Sequence, residues 1–82
     1  MKFYYWRRAH NTDTLHIVFA NRDNRNGIRA FVKPADDGMW FYRVKKPFSV
    51  TEATEATQEE AQAKAEQLID REFQPEYIPH FG

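Results

Sequence analysis

A chain of 82 residues is long enough for one hydrophobic core and too short for two, since compact units run from roughly 50 to 200 residues. Hydrophobic residues make up 41%, aromatics 16% and charged residues 29%, which excludes a disordered segment because such chains lack aromatic surface to bury. Zero Cys excludes disulfide staples and thiolate-bound metals, and no apolar run approaches the ~18–20 residues of a membrane span.

Lys and Arg number 12, as do Asp and Glu, so the formal charge is zero. Its distribution is uneven. Residues 1–50 hold ten basic side chains against four acidic ones, a net of +6, and residues 51–82 hold two against eight, a net of −6. Opposite charge in the two halves predicts oppositely charged surfaces, provided the halves form different elements. The opening Met1-Lys2-Phe3-Tyr4-Tyr5-Trp6 has no signal-peptide segment, so the expectation is a soluble, cytoplasmic chain with no membrane partner.

In chain order, residues 2–9 are aromatic-rich and predict a strand, His10-Asn11-Thr12-Asp13 is turn material, and residues 14–20 alternate Leu15, Ile17 and Phe19 in a second strand. Residues 21–27 are a loop ending in Asn26-Gly27, and residues 28–33 predict a third strand. Pro34 removes a ladder donor, Asp37-Gly38 supplies a turn, and residues 39–46 predict a fourth strand closed by Pro47. From Val50 to Thr57 the Thr-Glu-Ala triplet occurs twice and reads as a low-complexity linker, Ser49 included. Thr57-Gln58-Glu59-Glu60 is a capping box, and Ala61, Ala65, Leu68, Ile69 and Phe73 recur at helical spacing, predicting a helix over residues 58–72 whose alanines allow close approach to a sheet. Glu72 interrupts that stripe, Pro75 stops the helix, and residues 75–82 form an apolar tail. The fold class is α+β: a single domain over residues 1–82, a four-stranded antiparallel sheet with one C-terminal amphipathic helix packed on one face.

Strand periodicity places Leu15, Ile17, Phe19, Ile28, Ala30, Val32, Trp40, Tyr42 and Val44 on the face the helix covers. The other face then carries His16, Val18, Arg29, Phe31, Lys33, Met39, Phe41, Arg43 and Lys45. Aromatic rings set among Arg and Lys suit a binding surface, since those residue types supply most interface energy, and they also suit single-stranded nucleic acid, whose bases stack on rings while phosphates meet cations. A structural reading stands beside these: residues 77–81 cover Phe31 and Phe41, and the cationic stems complete a solvated sheet. A second candidate surface is the acidic helix, where Glu59, Glu66 and Asp70 are expected away from the apolar stripe.

No catalytic pattern emerges. The three histidines, His10, His16 and His80, lack the spacing of a metal pair. Ser49 has no His-Asp partner pattern, Asp36 and Asp37 fit turn chemistry, and three isolated glycines build no phosphate loop. The expectation is a non-enzymatic protein without metal or cofactor.

The run Trp40-Phe41-Tyr42-Arg43-Val44, followed by residues 57–69 with their capping box and alanine-rich helix, resembles small phage- and prophage-encoded proteins. It is also similar to the sheet-plus-helix antitoxin fold, without the Gly-rich strand segment of that family. The phage resemblance covers residues 28–69 and implies inhibition of a host defence complex, as in anti-CRISPR proteins, with no residue-level role attached. The expectation is therefore a protein-binding module acting on a nucleic-acid-handling or defence complex through Arg29, Phe31, Lys33, Phe41, Arg43 and Lys45, or second through Glu59, Glu66 and Asp70. The alternative is a single-stranded nucleic-acid-binding domain using the same sheet face, and an exposed edge strand allows self-association.

Overall fold

The computed structural model describes residues 4–20 and 27–73. The expected apolar tail, most of the loop before Gly27 and the side chains of Glu72 and Phe73 lie outside the described residues. Strands β1 (Tyr4–Arg8) and β2 (Leu15–Phe19) form a hairpin registered from Tyr4 opposite Phe19 to Arg8 opposite Leu15. Its turn uses the residues expected of it: Asn11 takes a positive φ of 59°, and the Thr12 hydroxyl donates to the Ala9 carbonyl at 3.0 Å while accepting from the Thr14 amide at 3.1 Å.

Strands β3 (Arg29–Pro34) and β4 (Trp40–Lys46) are joined through a short 3-10 turn at Asp36–Gly38, where Asp37 and Gly38 have φ of 61° and 74°. Glycine and Asp tolerate this left-handed region, which explains the dipeptide. Pro34 does not end the ladder before itself; it is the last residue of β3, opposite Trp40, at a position where a missing donor costs little.

The sheet has five strands rather than four. Residues 49–55, expected as a linker, form β5 (Ser49–Glu55), which pairs with β4 along its whole length from Lys46 opposite Ser49 to Trp40 opposite Glu55. Only Pro47 and Phe48 separate the two strands, so Pro47 ends β4 by turning the chain back on itself. The Thr-Glu-Ala repeat conceals a strand because an edge strand half-covered on one face needs few apolar residues, while Thr favours extended backbone. The order is β1-β2-β3-β4-β5, an antiparallel meander followed by helix α1 (Gln58–Phe73).

The helix begins where the capping box places it. The Thr57 hydroxyl accepts from the Glu60 amide at 3.1 Å and lies 3.1 Å from the Glu60 carboxylate, satisfying an amide that the first turn leaves without a helical partner. Ala61, Ala65 and Ile69 are fully buried against Ile28, Ala30, Val32, Tyr42 and Val44, with Tyr4 joining from β1. The helix therefore covers the face that strand periodicity selected. Gly27, at φ 73°, completes this body: a Cβ there would meet the Pro47 ring at 3.0 Å, so a larger residue would have to displace that ring slightly and hold a strained backbone.

Two outcomes follow from this core. Ile69→Ala leaves a cavity under the helix and is expected to lower stability by about 2–5 kcal/mol, read as a reduced urea midpoint. Burial pushes the Tyr42 phenol above its ordinary value of 10.0, and the Glu55 carboxylate adds to the effect. A raised folded value means this contribution is intact below about pH 10 and is lost as pH climbs toward the folded value. Tyr42→Phe, which keeps the packed ring, should flatten the alkaline fall in the urea midpoint; an unchanged fall would assign it to other groups.

Candidate binding face

The register sets the face opposite α1 into rows. One row runs Arg7, His16, Phe31, Arg43, Glu52 across all five strands. On one side of it lie Lys33, Phe41 and Thr54, and on the other Arg29, Lys45 and Val50. The six sheet residues singled out from the sequence are thus brought together on β3 and β4. β5 adds Val50, Glu52 and Thr54, which the linker reading had removed from consideration.

The centre is a ring pair. Phe31 and Phe41 have centroids 5.9 Å apart at 41°, and the His16 ring lies 6.2 Å from Phe31. The Lys33 ammonium sits 5.9 and 5.6 Å from the two ring centroids, and the Arg43 guanidinium 5.4 and 5.7 Å. Each cation therefore serves both rings, a geometry worth about 0.5–1 kcal/mol per contact at exposed sites. The cationic stems cover part of each ring, which leaves both phenylalanines half-buried on a face without a helix. Arg43 also forms an ion pair with Glu52 across β4 and β5, with both side chains well exposed. That pair fixes the guanidinium over the rings more than it stabilises the fold.

Arg29 stands directly opposite Lys45. Like charges facing each other across a ladder are unfavourable, so packing alone gives no reason for this pair. An open depression of about 340 Å³, lined by Lys33, Pro34, Ala35, Asp36, Phe41 and Arg43, borders the ring pair. A smaller one of about 190 Å³, lined by His16, Ile17, Ile28, Arg29 and Ala30, opens where β2 and β3 part.

The acidic-helix expectation needs correction. Glu66 and Asp70 do not point away from the sheet: Trp6 Nε1 donates to the Glu66 carboxylate at 2.6 Å, and the Tyr4 hydroxyl donates to Asp70 Oδ1 at 2.7 Å. Both acids flank Ala65 and Ile69 in sequence, which puts them at the border of the buried stripe, within reach of the two β1 aromatics on the same sheet face. The signal was available in the i, i+2 spacing of Tyr4 and Trp6 and the i, i+4 spacing of the acids. Glu59 alone of the three is exposed, in the first helical turn, where a carboxylate complements the helix dipole.

His10 and Asp37 occupy turns, and among the described residues no group of three or more His, Asp or Glu side chains gathers that could hold a metal. No described helix is long and apolar enough to cross a membrane. No family model matches the chain, and neither a curated protein nor a solved structure matches it significantly.

Because Glu66 and Asp70 anchor β1, Glu66→Lys combined with Asp70→Lys should destabilise the fold. Loss of two hydrogen bonds to charged acceptors amounts to about 1.5–3 kcal/mol each at most, discounted here for partial exposure. Thermal unfolding checks this, and an unchanged midpoint would return both acids to the free surface.

Proposed function

We propose that the protein is a non-enzymatic binding module that docks the sheet face opposite α1 on an acidic surface of a larger protein partner. The observation that carries this reading is the ring pair Phe31–Phe41 under two cations, beside the like-charged pair Arg29 and Lys45. A rigid aromatic centre with Arg at its rim has the composition of an interface hot spot. Cations held opposite one another gain from an anionic partner the energy that folding alone does not return. With the acids of α1 on the opposite side of the sheet, the field over this face is set mainly by Arg7, Arg29, Lys33, Arg43 and Lys45, with Glu52 offsetting one of the five. In the setting that the phage resemblance implies, the partner belongs to a cytoplasmic nucleic-acid-handling or defence complex whose working surface the module occupies.

A second reading is favoured by one observation, the closeness of the two rings. Neighbouring aromatics on an open antiparallel sheet can each stack one base of a single strand while Lys33 and Arg43 swing to its phosphates.

Phe41→Ala and Arg43→Ala should each weaken partner binding by about 1 kcal/mol or more while the domain stays folded. Anisotropy titrations with labelled single- and double-stranded oligonucleotides between about 50 and 200 mM salt separate the readings. Tight single-strand binding that falls steeply with salt selects nucleic acid; no binding at the lowest salt leaves the protein partner.

A further inference from the structure

The two outer strands of the sheet carry complementary edges. Tyr5, Phe48 and Val50 are the large hydrophobics most exposed among the described residues, and two of them sit on the edges: Tyr5 on β1 at 52% and Val50 on β5 at 54%. Both project from the face opposite α1. Two residues further along each strand comes a charge on that same face, Arg7 after Tyr5 and Glu52 after Val50. The apolar-then-charged order thus reads in the same chain direction on both edges, with opposite charges.

Topology makes that order usable. Four successive antiparallel pairings reverse the chain four times, so β1 and β5 run in the same direction. A second copy set alongside in the same orientation presents its β1 parallel to β5 of the first. We propose that copies of this chain associate head to tail by parallel pairing of β5 with β1, with Val50 beside Tyr5 and Glu52 beside Arg7. The register extends along all of β1, from Tyr4 beside Ser49 to Arg8 beside Ala53. On the helix side, Trp6 then meets Thr51, and Arg8 comes within a diagonal step of Glu55. Two-fold pairing of like edges does the opposite, gathering Glu52 and Glu55 on one seam or Arg7 and Arg8 on the other, which is unfavourable.

The seam also continues the binding face. The row Arg7, His16, Phe31, Arg43, Glu52 of one copy runs on into Arg7 of the next, so the ring pairs repeat along one extended surface. Such a surface engages a long or repetitive partner with avidity that a single module lacks. The Arg43–Glu52 ion pair leaves Glu52 well exposed and able to accept a second donor.

Sedimentation velocity at low salt tests the proposal. The weight-average mass of the wild-type protein should rise with concentration past that of a dimer, because a head-to-tail seam does not close after two copies. Arg7→Glu places like charges across the seam, as does Glu52→Arg, and each variant alone should sediment as a monomer. An equimolar mixture of the two should associate again, since each edge of one variant is complementary to the opposite edge of the other. Val50→Lys, which keeps the Arg43–Glu52 pair, should also be monomeric, and a cooperative thermal unfolding transition shows that each variant folds. A wild-type protein that stays monomeric, an association that stops at the dimer, or a variant mixture that fails to associate overturns the proposal.

Discussion

The seat of one helix on β3 and β4 determines most of what this molecule presents to its surroundings. Ala61 and Ala65 are small enough to bring α1 close to the strands, and Ile69 fills the space beyond them, all three without solvent exposure. A helix of sixteen residues covers one face of a five-stranded sheet and no more. Burial therefore acts on alternate residues only. Ala30, Val32, Tyr42 and Val44 are held by packing against α1, while Phe31, Lys33, Phe41 and Arg43 between them stand on the face that α1 does not touch.

The charge separation of the sequence becomes a separation of surfaces by the same division. The described part of the basic half is mostly sheet, and Arg7, Arg29, Lys33, Arg43 and Lys45 stand on the face opposite the helix. The acidic half is mostly helix and edge strand. Its acids do several different things: the Glu60 carboxylate accepts from the capping Thr57 hydroxyl, Glu66 and Asp70 hold the β1 aromatics, and Glu52 steadies Arg43. A row of acids that looks like a single docking surface in sequence is therefore divided among local structural tasks.

Most of the fold and the centre of the candidate face were legible because they follow strict periods. Alternation along residues 28–33 and 39–46 separates inward from outward side chains without knowledge of strand order, and the capping box fixes the helix start. What stayed hidden lacks a period. β5 has too few apolar residues to announce itself, and Pro47 looks like an ending when it is a reversal. Glu66 and Asp70 were misplaced because a helical projection locates the stripe but not its borders. Those depend on how far a neighbouring strand reaches, here β1 with Tyr4 and Trp6.

The seam between β2 and β3 has a mechanical meaning of its own. Among the described residues, only Leu15 opposite Val32 and His16 opposite Phe31 pair the first hairpin with β3, whereas the other strand pairs run five to seven residues. The hairpin is therefore less a part of one continuous sheet than an arm laid against it, held at its far side by the grip of Trp6 and Tyr4 on the helix. Few ladder bonds resist a change in its tilt, so the resistance comes from Tyr4, which belongs to the core beneath α1, and from the hydrogen bonds of Tyr4 and Trp6 to the helix. Since His16 sits on that seam with its ring beside Phe31, any tilt is transmitted to the curvature of the surface that carries the ring pair.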